Sequence, residues 1–173
     1  MVSPSLPEEF TVSGLVARRV QSTDLEDLRR VDSDPRVMET LGGVRDRDAT
    51  AADLNYDLEH WDRHGFGVYL IKSARGEPVG RVGLRCRTLL GRPEVEVAFS
   101  LRPMWWGRGH GTALARRLAE LAQDSHLSES LVATVEPANL ASIRVLEKLG
   151  FTADGQLQRA GTTMTLYRLP LKP

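Results

Sequence analysis

A glycine-rich turn joins an apolar strand to a helix rich in alanine and leucine over residues 106–114, Trp-Gly-Arg-Gly-His-Gly-Thr-Ala-Leu. Glycine adopts positive φ without strain, so these glycines let the backbone approach a ligand closely. The first amides of the following helix lack partners within that helix, and the positive end of the helix dipole favours an anion there. The segment therefore predicts a strand-turn-helix unit that binds phosphate, with a diphosphate as its natural ligand.

The surroundings of the turn argue against two of the three protein classes that use such loops. A dinucleotide-binding turn follows an early strand and has an acidic residue about 20 positions later, whereas this turn lies past the midpoint of the 173 residues. A P-loop ends in Gly-Lys-Ser/Thr, whereas Gly111 is followed by Thr112 with no lysine. The acyl-CoA transferases remain as the third class.

Two motifs in the right order resemble those of the GNAT superfamily of acyl-CoA-dependent N-acetyltransferases. The turn is similar to the superfamily loop Arg/Gln-x-x-Gly-x-Gly/Ala, with Gly109 and Gly111 at its small positions. The run from Asn139 to Phe151 resembles Asn-x-x-Ser-x-x-Val-Leu-Glu-Lys-x-Gly-Phe and is the more specific match. Its serine and the Trp-Gly entry to the loop are similar to the ribosomal-protein N-terminal alanine acetyltransferases, the RimJ/RimL-like branch. The resemblance extends from about Leu15 to Leu169.

The resemblance implies a fold and a cofactor. The fold is a mixed α/β (α+β) arrangement: a mostly antiparallel sheet of six or seven strands with a splayed parallel pair, flanked by about four helices. The cofactor is acetyl-CoA, with no metal, and an amide at the end of the fourth family strand would polarise the thioester carbonyl. The cofactor-binding residues implied are Phe99, Ser100, Leu101, Trp106, Gly107, Arg108, Gly109, His110, Gly111, Thr112, Ala113, Asn139, Ser142 and Arg144.

Two residues depart from the superfamily pattern. Trp106 replaces the Arg or Gln at the start of the loop, which removes one side-chain contact to phosphate and leaves the backbone cradle intact. Leu146 stands where many relatives have a tyrosine that protonates the departing thiolate. Ser142, one turn into the helix, is the candidate catalytic acid in its place, although a serine there is often only a local cap. Asn139 could contact pantetheine or simply cap the helix.

Glu96 is the candidate catalytic base. In the run from Glu94 to Leu101, apolar side chains alternate with Glu94, Glu96, Ala98 and Ser100, which places the glutamates on one face of a strand. Glu96 lies three residues before the thioester-binding segment and could accept the amine proton through water. A solvated carboxylate is an equally good interpretation, and Glu94 is a weaker candidate because it lies farther from the loop.

The arginines near the motifs have two interpretations each. Arg108 and Arg144 are placed to contact the phosphates, or they are solvated surface charges. Arg81, Arg85 and Arg87 share one strand face and could attract an acidic acceptor, although a solvated sheet face is the commoner explanation.

The residues and the resemblance together predict acetyl transfer from acetyl-CoA to a primary amine, by direct attack in a ternary complex. Lysine, with a pKa near 10.4, is about 3.5 kcal/mol harder to deprotonate than an α-amine near 7.8. The resemblance points to the N-terminal amine of a protein as acceptor. A small-molecule amine acetyltransferase and a non-catalytic CoA-binding sensor remain alternatives, the latter favoured by Leu146.

Composition restricts partners and location. Lys+Arg and Asp+Glu both total 23, so net charge gives no attraction to nucleic acid or an anionic membrane. The single cysteine, Cys86, alternates with apolar residues along a predicted strand, and this pattern predicts a small buried apolar side chain. With no disulfide, no signal segment and no span of about 20 apolar residues, we expect a cytoplasmic protein. His60 and His64 have helical metal-pair spacing without a third ligand, which predicts surface residues. Oligomeric state stays open, a homodimer being the commonest assembly.

The chain is predicted to hold a flexible leader at 1–13 and a single acetyltransferase domain at 14–173. Thr50 and Asp53 fit a variant capping box for the second helix, and residues 32–47 before it are expected to be irregular. Strands are predicted at 15–20, 66–72, 79–87, 94–101, 131–135 and 164–169, and helices at 22–30, 50–64, 112–123 and 139–149.

Overall fold

A computed structural model describes residues 4–172 and contains one sheet of eight strands. The strands are β1 (Glu9–Val12), β2 (Leu15–Arg19), β3 (Val68–Ser73), β4 (Pro78–Leu89), β5 (Arg92–Leu101), β6 (Ser130–Val135), β7 (Thr152–Arg159) and β8 (Thr162–Pro170). They lie in the order β1-β2-β3-β4-β5-β6-β8-β7. Only the β5–β6 pair is parallel among these strands. This confirms the predicted fold class, although the expected count of six or seven strands was low.

The two strands that were not predicted lie at the edges of the sheet. β1 falls inside the segment expected to be a loose leader, where it pairs with β2 and buries Phe10; residues 1–3 lie outside the described part. β7 has the sequence Thr-Ala-Asp-Gly-Gln-Leu-Gln-Arg and is exposed along nearly its whole length. An edge strand of this kind needs only the backbone bonds to its neighbour, so it carries no apolar alternation to detect.

Five α-helices accompany the sheet: α1 (Leu25–Asp32), α2 (Pro35–Met38), α3 (Arg47–His64), α4 (His110–Asp124) and α5 (Leu140–Leu149). The short helix α2 lies in the segment expected to be irregular. The capping box expected at Thr50 is wrong, because α3 begins earlier, where the side chain of Asp46 accepts a hydrogen bond from the Ala49 amide at 2.8 Å. Gly65, with φ of 72°, ends the helix in the left-handed conformation.

The two faces of the central strands carry different chemistry. On β5, Val95 and Val97 are buried in the same core cluster as Leu114 and Leu118 of α4, and α4 contacts both β4 and β5. Alternation places Glu96 and Ser100 on the opposite face. There β4 meets α1 and α3 through charged side chains, so this second face becomes the polar floor of a cleft.

Within the described residues, none of the helices is both long enough and apolar enough to cross a membrane.

Candidate active site

The parallel pair at the centre of the sheet separates almost as soon as it forms. β5 and β6 share one register position, Glu96 with Val132, whereas β4 accompanies β5 all the way to Leu101. Beyond Glu96 the two strands therefore diverge, and the end of β5 has one free edge. The opening is part of a cleft of about 1100 Å³ lined by residues of both strands, including Phe99, Ser100 and Thr134.

The hydrogen-bond ladder shows which groups of β5 face this opening. The Arg102 amide donates to the Val79 carbonyl at 2.8 Å. Hydrogen-bonded pairs recur at every second residue of an antiparallel ladder. The main-chain groups of Ser100, two residues earlier, therefore bond to β4. The main-chain groups of Phe99 and Leu101 point to the free edge instead. The Leu101 carbonyl accepts the Trp106 indole at 2.7 Å, which leaves the Phe99 amide and carbonyl for a ligand. Ser100 also lines the cleft, and its buried hydroxyl has no hydrogen-bond partner among residues 4–172.

The N-terminus of α4 is uncapped. The caps of α2, α3 and α5 are the side chains of Asp34, Asp46 and Asn139, each accepting a backbone amide. At α4 the N-cap is Gly109, with φ of 78°, no side-chain cap and no acidic residue in the first turn. The first backbone bond runs from the Ala113 amide to the Gly109 carbonyl at 3.0 Å. The amides before it have no partner within the helix, an arrangement that favours an anion.

The side chains around this turn suit an anion as well. Arg108 and Arg144 are both exposed, and neither joins any of the ion pairs found among residues 4–172. His110 packs edge-on against Trp105, with ring centroids 5.5 Å apart, and its buried Nδ1 has no partner within the described part of the chain. Free amides, unpaired cations and an orphaned ring nitrogen form a donor set that fits a diphosphate.

Gly111 places the turn beside the other elements of the site. A Cβ built on it would lie 3.8 Å from Val145 Cγ2 on α5 and 3.9 Å from Leu101 Cδ1 on β5. The start of α4, the free end of β5 and α5 therefore meet at one point. Trp106 is 49% exposed, and its indole N–H donates to the Leu101 carbonyl, which anchors the loop to the end of β5.

Glu96 lies inside the cleft and is not the solvated carboxylate of the alternative interpretation. It is 6% exposed, and its Oε1 accepts hydrogen bonds from the Thr134 hydroxyl and from Arg159 Nη2, the latter at 3.2 Å. Arg87 Nε lies 3.4 Å from the other oxygen, Oε2. Glu96 is therefore held in place by groups from three strands, with Oε2 its less engaged oxygen.

Ser142 and Asn139 occupy the first turn of α5 at the side of the cleft. The Asn139 side chain accepts the Ser142 amide at 3.1 Å, so Asn139 does act as the helix cap, while its Nδ2 remains a donor. Both residues line the cleft, and the Ser142 hydroxyl joins none of the hydrogen bonds among the described side chains. Leu146, which stands in the position of the superfamily tyrosine, is fully buried.

The interpretation of Arg81 and Arg85 as a solvated sheet face is wrong. Their side chains are each 13% exposed, because α1 and α3 cover this part of β4. Arg81 lies 2.9 Å from Asp32, and Arg85 forms a bidentate pair with Asp57 at 2.8 and 2.7 Å. Asp53 and Arg45 join the same network, in which three carboxylates face three guanidinium groups. This network fixes the floor of the cleft.

The expectation that both histidines of α3 lie on the surface is also wrong for His60, which is 5% exposed. Its Nδ1 donates a hydrogen bond to the Phe66 carbonyl, and its Nε2 accepts one from the Cys86 amide, both at 2.9 Å. These bonds require a neutral ring, and burial lowers the pKa of His60 to about 4. The ligand atoms of His60, His64 and Cys86 lie within 4.8 Å of one another, but both His60 nitrogens are already occupied. His60 is therefore a structural bridge between α3 and β4.

Two residues of the cleft were missed by sequence reasoning. Arg159 belongs to the unpredicted strand β7, and Thr134 was assigned only to an apolar strand, yet both bond to Glu96. Neither position has a local sequence signal, because its role depends on the order in which β6, β8 and β7 pair.

Comparison with known proteins places the chain in a family. A family model described as an acetyltransferase (GNAT) domain matches residues 15–152. The protein YkkB of Bacillus subtilis strain 168 is 23% identical over 160 residues, which cover 88% of this chain and 93% of YkkB. The crystal structure of an acetyltransferase from Agrobacterium tumefaciens strain C58 superposes with a TM-score of 0.81 at 27% identity, over 95% of each chain.

The similarity in fold extends to the branch indicated by the sequence. RimL, named as a ribosomal L7/L12 alpha-N-protein acetyltransferase and crystallised with coenzyme A, has a TM-score of 0.77. It is 16% identical, over 96% of this chain and 97% of its own. The family match, the free N-terminus of α4 and the divergent β5–β6 pair agree. The chain belongs to the GNAT family of acetyltransferases and is an acetyl-CoA-dependent N-acetyltransferase.

Proposed function

We propose that this enzyme acetylates a primary amine by direct attack within a ternary complex, and that the acceptor is the N-terminal amine of a protein. The observation that carries the proposal is the divergence of β5 and β6 after Glu96. It opens a cleft that holds Glu96 and Ser142 beside the free amides of α4. An acyl donor and an amine can enter such an opening from different sides and meet in it.

The residues that would hold acetyl-CoA follow from this geometry. The amides of residues 107–112, with Arg108 and Arg144, would bind the diphosphate. The free edge at Phe99 would pair with the amides of pantetheine, as an added strand pairs with a sheet edge. When bound there, acetyl-CoA supplies the thioester whose acetyl group is transferred.

Glu96 and Ser142 would handle the protons. Thr134 and Arg159 both donate to Oε1 of Glu96, so Oε2 is the oxygen that would accept the amine proton, through an ordered water. Ser142 lies in the first turn of α5 and lines the same cleft, and its hydroxyl would deliver a proton to the departing sulfur. The Phe99 amide is the candidate donor to the carbonyl oxygen.

A covalent acetyl-enzyme route has no thiol available in the cleft. Cys86 is the only cysteine of the chain, and it is not among the residues that line the cleft. Its sulfur lies 3.7 Å from His64 Nδ1, and burial raises the pKa of its thiol. Direct attack therefore requires fewer assumptions.

Three observations support an N-terminal amine. An α-amine is about 3.5 kcal/mol easier to deprotonate than a lysine side chain, which suits a base that works through water. The cleft has a volume of about 1100 Å³, more than a small amine fills, and its lining includes residues 39–43, 88–90, 157–160 and 162. RimL, whose name records an α-N-protein acceptor, shares this fold.

The test is release of free CoA from acetyl-CoA, followed with a thiol reagent, in the presence of matched acceptors. One peptide carries a free α-amine and no lysine, its partner a blocked α-amine and one lysine, and polyamines and aminoglycosides complete the panel. We expect the first peptide to react fastest and to gain the mass of one acetyl group at its N-terminus. Double-reciprocal plots of the initial rates should give intersecting lines, as a ternary complex requires. Parallel lines in these plots, together with an enzyme that carries a covalently bound acetyl group, would contradict direct attack. A preference for small amines would contradict the protein acceptor, and no release with any amine would favour the sensor.

A further inference from the structure

The ion pairs of the cleft are balanced in charge except around Glu96. In the floor network, Asp32, Asp53 and Asp57 face three arginines, so that part is neutral. At Glu96, one carboxylate faces two arginines, Arg87 and Arg159. The local excess is one positive charge, next to the candidate base.

The two arginines keep donors free for a ligand. The Arg87 side chain is 33% exposed and the Arg159 side chain 41% exposed, and both line the cleft. Each guanidinium carries five N–H donors. Arg159 uses one of them on Glu96 at 3.2 Å. The Nε of Arg87 faces Glu96 at 3.4 Å in an orientation that forms no hydrogen bond, and it is buried without a partner.

The position of Arg87 is fixed by its neighbours. Its guanidinium carbon lies 5.3 Å from the centroid of the Tyr56 ring, on α3, so stacking holds the group at the cleft wall. Arg159 approaches from the end of β7, on the other side of Glu96. The two cations contact the carboxylate from separate strands, and both side chains line the cleft.

We propose that Arg87 and Arg159 form a carboxylate-binding subsite, and that the preferred acceptor carries an acidic group close to its reacting amine. This inference rests on the proposed function, since it names a class of acceptor for the same cleft. Arginine binds carboxylates through paired, charge-assisted hydrogen bonds. An acidic side chain near the N-terminus of a peptide would neutralise the excess charge.

Two other carboxylates line the cleft and do not remove this preference. Glu39 is exposed at the wall, and Glu136 lies half-buried just after β6. Neither forms an ion pair with Arg87 or Arg159, whose only carboxylate partner among the described residues is Glu96. A polycationic acceptor would place further positive charge beside two arginines, so we expect it to be disfavoured.

The experiment compares pairs of acceptor peptides that begin with alanine and have a free N-terminal amine. The members of a pair differ only at the second and third positions, where one carries a carboxylate and the other the matching carboxamide: Asp against Asn, or Glu against Gln. The readout is the ratio of kcat/KM within each pair. We expect the acidic member to be preferred about tenfold by the unaltered enzyme, and less at high salt. Arg159→Gln and Arg87→Gln should each reduce the ratio to about threefold or below, whereas Arg159→Lys retains part of it. Arg63→Gln, an exposed arginine at the end of α3, is the matched control and should leave the ratio unchanged.

A ratio near one, a preference for lysine-containing peptides, or a ratio that survives both Gln variants would overturn the subsite. Binding of the same peptide pairs to the CoA-bound protein by calorimetry gives the ratio without turnover. The absence of acetyl transfer and the absence of carboxylate recognition are therefore separate results.

Discussion

Replacing Gly109 by alanine tests the phosphate cradle, because the chain contains a matched glycine elsewhere. Gly109 and Gly76 both have φ of 78°, and a Cβ on either would have no atom within 4 Å. Gly76 lies between β3 and β4 and does not line the cleft. The two substitutions therefore impose the same backbone strain on the folded protein, and only one of them touches the proposed ligand site.

The expected magnitudes separate stability from binding. A non-glycine residue in the left-handed region costs about 1 kcal/mol, which lowers Tm by about 2–4 °C for a chain of this size. Both variants should show this loss. At Gly109 the added methyl occupies the space above the free amides, and relaxation of φ turns those amides away. Loss of one charge-assisted hydrogen bond is worth about 1.5–3 kcal/mol, so Kd for CoA should rise about 10- to 100-fold.

Isothermal titration calorimetry with CoA, beside thermal unfolding of both variants without ligand, makes the measurement. Gly76→Ala is expected to bind CoA with the affinity of the unaltered protein. If Gly109→Ala does the same while showing the Tm loss, the amides before α4 do not bind the diphosphate and the cradle is wrong.

Four further predictions concern single side chains. Glu96→Gln should lower kcat about 100-fold and change the pH-rate profile; an unchanged profile would remove Glu96 from the mechanism. Ser142→Ala should lower kcat more than it raises KM for acetyl-CoA, and the opposite split would make it a binding residue. Asp57→Ala leaves Arg85 buried without its bidentate partner, and urea unfolding should show a loss of about 3 kcal/mol; the exposed Asp62→Ala should cost much less. Burial lowers the pKa of His60 from 6.5 to about 4. The stability that the neutral ring contributes to the folded protein is therefore complete above pH 6.5 and is lost as the pH drops toward 4. Between pH 7.5 and 5 the free energy of unfolding should therefore fall by about 2 kcal/mol. His60→Gln should abolish this pH dependence, whereas His126→Gln, at an exposed position, should retain it.

The parts of the site that could be predicted are those encoded by local sequence. Gly109 and Asn139 each begin a helix, and the requirement for positive φ at the first and for a side-chain cap at the second is visible in a few residues. The parallel arrangement of β5 and β6 also followed from the helix between them. These features depend on neighbours in the chain and not on the order of the sheet.

The rest depends on contacts between distant segments. Arg159 reaches Glu96 across 63 positions, and nothing in its own strand signals a buried partner. Arg85 lies in a strand of alternating polar and apolar residues, a pattern that predicts a solvated polar face. In the structure α3 covers this face and places Asp57 against Arg85. His60 has metal-pair spacing, but the Phe66 carbonyl and the Cys86 amide use both of its nitrogens. Sequence patterns give the type of an element, whereas the partner of a charged side chain is set by tertiary packing.

The divergence of β5 and β6 is a consequence of their other neighbours. β5 stays in register with β4 up to Leu101, and at Gly80 a side chain would collide with the Ser100 carbonyl at 2.1 Å. β6 stays in register with β8 from Ser130 to Val135. Each strand thus follows a separate half of the sheet, and the single shared position at Glu96 is where the halves meet. α4 and α5 contact each other across this seam, with Leu114 and Leu146 fully buried. A ligand bound to the amides of α4 and to the edge of β5 would lie along the same seam, so the candidate base, the candidate acid and the proposed cradle all lie near the shortest strand pairing of the sheet.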